Sequence, residues 1–63
     1  MRFTLDIDCS NAALEIAPEQ GIATILHAFA DRIARESGTA FPGDRWPLRD
    51  ENGNTVGHAV LLD

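Results

Sequence analysis

The fold is decided by residues 18–35, which read PEQGIATILHAFADRIAR. Apolar side chains recur there at spacings of three and four, so they share one stripe of an α-helix; they are Ile22, Ile25, Leu26, Phe29 and Ile33. Polar side chains fall on the opposite side; they are Gln20, Thr24, His27, Asp31 and Arg35. Pro18 suits the first helical position, and Gly38, which follows Ser37, suits the C-cap. The sequence therefore predicts one amphipathic helix that packs on a core.

The segments before this helix predict a strand and a connection. Residues 2–8 alternate between polar and apolar side chains, which is the pattern of a half-buried strand; the apolar positions are Phe3, Leu5 and Ile7. Residues 9–17 carry Leu14 and Ile16 without a clear period. We expect this segment to be a connection that places both apolar residues on the core and that has room for a short helical turn.

The segment after the helix predicts a β-hairpin. Residues 45–50 and 55–62 are strand candidates, and the intervening Asn52-Gly53 pair readily supplies the positive φ that a tight turn needs. Pro47 cannot donate a ladder hydrogen bond, so its strand should lie at an edge. We expect an α+β fold, β-α-β-β, with one helix packed on a three-stranded antiparallel sheet in the order first, third, second strand, in a single domain over residues 1–63.

The alternation along the third strand also predicts which side chains face the helix. On the helix side we expect Val56, Val60 and Leu62 together with Trp46 and Leu48. On the other side we expect Gly57, Ala59 and Leu61 together with Thr4, Asp6 and Asp8. That second face is uncovered, and it fits a solvated surface, a docking surface or a homodimer interface. Trp46 fits either a core anchor or a contact for a partner.

Composition limits the function. The 63 residues include 5 arginines and 10 acids, for a net charge of −5, which argues against attraction to nucleic acid or to an anionic membrane and favours a basic partner. The single cysteine, Cys9, cannot form an intramolecular disulfide and fits a reducing compartment. The N-terminal residues lack the pattern of a signal peptide, so a cytoplasmic location is expected.

The residues that could carry chemistry do not form a recognisable site. His27 and His58 are predicted to point apart, and no histidine is expected near Cys9 to act as its base. The acidic turn at residues 50–54 lacks the spacing and the final glutamate of an EF-hand loop. The sequence therefore predicts no catalytic residue, no metal site, no cofactor and no enzyme activity.

The acidic side chains are the candidate partner-binding residues; those selected by charge and expected exposure are Asp6, Asp8, Asp31, Glu36, Asp44, Asp50 and Glu51. A solvated acidic surface is the ordinary explanation for such residues. The sharper hypothesis is mimicry of nucleic acid, in which rigidly held carboxylates occupy a groove built for phosphates. Arg45 and Arg49, expected near Asp6 and Asp8, weaken that hypothesis because they could neutralise the same face.

Three segments carry a resemblance to known proteins: residues 1–8 (MRFTLDID), the amphipathic helix at 22–33, and the hairpin segment at 48–57 (LRDENGNTVG). Together they resemble small proteins encoded by bacteriophages and mobile elements. That group includes anti-CRISPR proteins, notably inhibitors of type I systems, and the chain resembles those that inhibit type I-C.

The resemblance implies a stoichiometric inhibitor in the cytoplasm of a bacterial host, acting as a monomer or weak dimer. Its partner would be a protein subunit of the CRISPR-Cas surveillance complex, at a basic surface that binds target DNA or reads the PAM, with no direct contact to nucleic acid or membrane. Three alternatives stay open: inhibition of the recruited helicase-nuclease, a phage accessory or structural interaction module that is homo-oligomeric, and a small regulator or antitoxin-like protein with a different partner.

Overall fold

The computed structural model describes residues 1–36 and 38–63 and consists of a sheet and two helices. The elements follow one another as β1 (Arg2–Ile7), α1 (Ala12–Glu15), α2 (Pro18–Ala34), β2 (Arg45–Arg49) and β3 (Thr55–Leu62). The strands form an antiparallel sheet in the order β1-β3-β2. The predicted α+β fold and strand order are confirmed, and Pro47 lies in an edge strand as expected.

A β-bulge in β3 changes the predicted faces of the sheet. Leu48 pairs with Gly57 and Arg49 with Thr55, so Val56 is an extra residue on the β3 side. Val56 faces the core as predicted, but beyond the bulge the alternation is shifted by one residue. The expectation for the rest of β3 was therefore wrong: Gly57, Ala59 and Leu61 lie on the core side, and His58, Val60 and Leu62 lie on the open side.

The core forms between the helices and one face of the sheet. Its buried members are Leu14, Ile25, Phe29, Trp46, Leu48, Val56 and Ala59. Trp46 is thus a core residue, and its ring lies 6.1 Å from that of Phe29 and 6.2 Å from that of Phe3, between centroids. Ala59 is fully buried and pairs with Trp46 on one side and Leu5 on the other. A small residue at this central position leaves room for the aromatic rings above the sheet.

Helix α2 matches its prediction in position and differs in detail. Ile25 and Phe29 are buried, whereas Leu26 at the margin of the stripe is 41% exposed. The helix ends at Ala34 with Arg35 as its C-cap, so Gly38 is not the cap that the sequence predicted. Gly38 has a φ of 75° and lies in the following turn, and Ser37 lies outside the described residues.

Helix α1 is a single turn that fixes the connection between β1 and α2. Asn11 is its N-cap, and the Asn11 Oδ1 atom accepts a hydrogen bond from the Leu14 backbone N–H at 3.1 Å. Leu14 is buried as predicted, but Ile16 is 92% exposed and does not reach the core. Neither helix in the described part of the chain has the length and apolar character needed to cross a bilayer.

Candidate partner-binding surface

The antiparallel register brings four segments to one end of the sheet. Ile7, at the end of β1, pairs with Gly57, which pairs with Leu48 near the end of β2. Helix α1 and the first turn of α2 lie at this same end, against the turn between β2 and β3. We call this region, residues 8–20 and 49–55, the acidic end.

Negative charge is concentrated in the acidic end. It contains five carboxylates and one arginine; these are Asp8, Glu15, Glu19, Asp50, Glu51 and Arg49. Five acids less one arginine leave a formal charge of −4, out of −5 for the chain. The other four arginines lie outside it; they are Arg2, Arg32, Arg35 and Arg45. The fold therefore separates a negative end from a nearly balanced remainder, which the sequence order does not reveal.

The Asp50 carboxylate accepts hydrogen bonds that join two elements of the acidic end. Its Oδ1 atom accepts hydrogen bonds from the backbone N–H groups of Asn52 at 3.0 Å and Asn54 at 2.9 Å. Its Oδ2 atom accepts from Asn11 Nδ2 at 2.9 Å, which ties the β2–β3 turn to the cap of α1. The hydrogen bond from the Asn54 backbone is the main cause that holds the pKa of Asp50 below its usual value of 3.8. Asp50 is only 8% exposed, so the expectation that it is an exposed acid is wrong.

Asp8 has a similar, more exposed structural role. Its Oδ1 atom accepts a hydrogen bond from the Ser10 backbone N–H at 2.9 Å. Hydrogen bonds from the side chain and backbone of Ser10 lower the pKa of Asp8. Asp8 is exposed and remains ionised at neutral pH, so it contributes both to the turn after β1 and to the negative potential of the acidic end.

Besides Asp8, three further acids of this end are exposed, and so is one large apolar side chain. Glu15, Glu19 and Glu51 are exposed, and Ile16, between the first two in sequence, is 92% exposed. Helices α1 and α2 face Asp50 and Glu51 across a cleft of about 160 Å³. Exposed carboxylates and an exposed aliphatic residue at one end of the fold offer both attraction to a basic surface and an apolar contact.

The remaining predicted partner residues do not join this surface. Asp31 is exposed on the second half of α2. Glu36 accepts a hydrogen bond from Trp46 Nε1, and Asp44 Oδ2 accepts one from the Phe41 backbone N–H at 3.0 Å. These three acids lie away from the acidic end, and two of them are hydrogen-bonded within the fold.

Asp6 lies on the open face of the sheet, which it shares with arginines. Three arginines share that face, one near each end of β2 and one at the start of β1: Arg45, Arg49 and Arg2. Asp6 is paired with His58 across the strands. The predicted acidic sheet face carrying Asp6 and Asp8 is therefore mixed in charge, and the phosphate-like array of carboxylates is not formed there.

The histidines and the cysteine are separated as the sequence predicted. His27 is exposed on α2, His58 is half-buried on the open face of β3, and Cys9 packs against the core. Over residues 1–36 and 38–63, no three His, Cys, Asp or Glu side chains form a group that could hold a metal ion.

Sequence reasoning missed three exposed members of the acidic end, namely Glu15, Ile16 and Glu19. A usable signal was present: once Leu14 is buried, the next two residues of a one-turn helix must point away from the core. The packing of α1 and the first turn of α2 against the β2–β3 turn depends on contacts distant in sequence and had no local signal. Comparison with known proteins adds no assignment, because the chain matches no protein family, no curated protein and no solved structure.

Proposed function

We propose that this protein is a non-enzymatic inhibitor that binds a basic protein surface through its acidic end. The observation that carries the proposal is the separation of charge: four of the five net negative charges of the chain lie at residues 8–20 and 49–55. The partner that the sequence resemblance indicates is the type I-C CRISPR-Cas surveillance complex of a bacterial host, in the cytoplasm. The step inhibited is the binding of target DNA.

Distance makes the acidic end an independent electrostatic unit. The eight residues of β3 span about 26 Å from one end of the sheet to the other. At physiological salt the Debye screening length is about 8 Å, so interactions between exposed charges farther apart than this are largely screened. The arginines near the far end of the sheet therefore do not cancel the field at the acidic end. A basic groove that normally binds phosphates would therefore be attracted to the exposed acids of this end.

The binding energy would come largely from an apolar contact at Ile16 rather than from charge alone. Exposed ion pairs contribute about 0 to 1 kcal/mol each, so carboxylates mainly set orientation and association rate. Ile16 supplies apolar area that is free to be buried on binding. Asp50 and Asn11 hold α1 against the β2–β3 turn, which presents Glu15 and Ile16 on a preorganised support.

The test uses purified type I-C surveillance complex, labelled target DNA and two variants of equal net charge. Glu15→Lys/Glu51→Lys reverses two exposed charges of the acidic end. Asp31→Lys/Asp63→Lys makes the same charge change elsewhere on the surface. We expect co-elution of the wild-type protein with the complex and loss of DNA binding by the complex. The acidic-end variant should inhibit at least about tenfold more weakly, whereas the control should stay within about twofold.

Other outcomes would redirect or overturn the proposal. Equal weakening by both variants would mean that net charge, not the acidic end, determines inhibition. Co-elution with DNA binding intact would indicate blocked recruitment of the helicase-nuclease. Absence of co-elution would overturn binding to the surveillance complex and favour the nuclease itself or a phage accessory module as the context of this protein.

A further inference from the structure

The two edges of the sheet differ in how they are protected. In β2, Asp50 N–H donates to Asn54 C=O at 2.9 Å and Asp44 C=O accepts from Leu61 N–H at 3.0 Å, so the even-numbered residues face β3. Pro47 therefore faces outward, where it has no N–H, and its C=O accepts a hydrogen bond from Arg32 Nη1 at 3.0 Å. A proline and a covering arginine are devices that prevent pairing with another strand.

The outer edge of β1 has no such device. Asp8 N–H donates to Val56 C=O at 2.7 Å, so the even-numbered residues of β1 face β3, and Phe3, Leu5 and Ile7 direct their N–H and C=O groups outward. The strand contains no proline and no bulge over its six residues. The connection after β1 turns toward the β2–β3 turn, where Asn11 binds Asp50, and so leaves the outer edge uncovered.

The sequence of this edge is complementary to itself. When two copies of β1 run antiparallel with a two-fold axis beside Thr4, Arg2 of one copy lies opposite Asp6 of the other, and Thr4 lies opposite Thr4. Phe3 lies opposite Leu5, and both direct their backbone groups outward, so they can exchange N–H···O=C hydrogen bonds. The same register therefore provides partners for the outward backbone N–H and C=O groups and pairs Arg2 with Asp6 twice. It also covers Phe3, which is 47% exposed.

We propose that two copies of this chain form a dimer through antiparallel pairing of β1 about Thr4, which produces a continuous six-stranded sheet. The strand that pairs with the outer edge of β1 belongs to a second copy, because Arg2 and Asp6 lie opposite one another only when two copies of β1 are related by a two-fold axis. The neighbouring register, with the axis beside Leu5, places Arg2 opposite Asp8 instead and leaves Asp6 opposite Thr4. Antiparallel pairing directs the two acidic ends away from each other, so both remain accessible in the dimer.

The first experiment is sedimentation over a concentration series combined with amide hydrogen exchange. We expect the mass to rise from 6.9 kDa toward twice that value, with slowed exchange of the Phe3 and Leu5 amides as the dimer forms. A monomer at every concentration up to about 1 mM would overturn the proposal. A dimer in which these two amides exchange as rapidly as in the monomer would also overturn it.

Charge exchange tests the register. Arg2→Asp and Asp6→Arg should each weaken the dimer by about tenfold, because each places like charges opposite one another twice. The double variant Arg2→Asp/Asp6→Arg should restore it. Arg45→Asp makes the same charge change on β2 and should leave dimerisation unchanged. Insensitivity to Asp6→Arg, or failure of the double variant to recover, would overturn pairing about Thr4.

Backbone methylation separates edge pairing from folding, and a chain of 63 residues is accessible to chemical synthesis. N-methylation of Leu5 removes an outward N–H without changing a side chain or a hydrogen bond to β3. We expect a folded monomer with a wild-type circular dichroism spectrum. The matched control, N-methylation of Arg45, alters the outward N–H of β2 and should leave the dimer intact. A dimer that survives methylation of Leu5 would contradict the proposal.

Discussion

The two ends of the sheet are held together by different interactions. At the acidic end, a buried carboxylate, Asp50, binds the turn and the cap of α1 through hydrogen bonds. At the opposite end, the rings of Phe3, Phe29 and Trp46 pack with centroids 6.0 to 6.2 Å apart. This opposite end, the aromatic end, is stabilised by burial of apolar area. The stability of the acidic end depends instead on the hydrogen bonds to Asp50.

This difference has a functional consequence. Aromatic packing occupies the side chains that could have formed an exposed apolar patch, so Trp46 is unavailable to a partner. At the acidic end, Asp50 accepts hydrogen bonds within the fold, whereas Glu15, Glu19 and Glu51 are exposed. The end that is held by hydrogen bonds is therefore the one at which negative charge and Ile16 are exposed.

The largest expected effect comes from Gly57→Ala, which would break the attachment of β1 near the acidic end. A Cβ atom at Gly57 would overlap the Asp6 backbone carbonyl, and a neighbouring backbone cannot move aside as a flexible side chain can. We expect loss of a cooperative thermal unfolding transition, measured by circular dichroism.

Gly21→Ala is the matched control for that substitution. Its Cβ atom would meet the Leu14 side chain rather than backbone. Overpacking of this kind costs about 1 to 3 kcal/mol, and the gain in helix propensity returns up to about 1 kcal/mol. A Gly57→Ala protein as stable as Gly21→Ala would contradict the close approach of β3 to β1.

Trp46→Ala tests the aromatic end. Truncation of this buried ring should lower the free energy of unfolding by about 3 to 5 kcal/mol, because it removes apolar area and leaves a cavity between Phe3 and Phe29. Urea denaturation followed by circular dichroism measures the change. Phe41→Ala, at an aromatic residue that is 66% exposed, should change stability by less than about 0.5 kcal/mol. Comparable losses for both would mean that the ring cluster does not hold this end.

Asp50→Asn tests the acidic end and should have the smallest effect of the three, with a dependence on pH. The pKa of Asp50 is lowered in the folded state, so the ionised carboxylate stabilises the fold above its unfolded value of 3.8, and this contribution is lost as the pH falls through the lower folded value. The wild type should therefore be more stable than the variant at pH 7, and the difference should shrink toward pH 3. Urea denaturation at both values measures it. A difference independent of pH would show that shape rather than charge at Asp50 matters.

Local patterns predicted most of the fold because each element carries its own signal. The spacing of Ile25 and Phe29 predicted the buried face of α2, and Pro47 predicted an edge strand. The faces of β3 could not be predicted beyond Val56, because a bulge reverses the alternation and depends on the pairing of Leu48 and Arg49 with the partner strand.

The candidate site was predicted less well than the fold. Negative charge was chosen as the property of interest, but exposure was inferred for each acid separately. Asp50 and Glu36 proved to be hydrogen-bonded within the fold, while Glu15 and Glu19 had been left out of the candidates. Hydrogen-bond partners distant in sequence, such as Asn11 for Asp50, decide which acids are internal.

The sequence by itself determined the element order, the strand order and the net charge, because periodicity, turn residues and composition act locally or as simple sums. Only the tertiary structure decided where the charge resides, which face of β3 is buried and which sheet edge is protected. Those properties depend on contacts between distant residues, such as Arg32 with Pro47 and Asn11 with Asp50. Such contacts exist only after the chain has folded, so local sequence signals do not encode them individually.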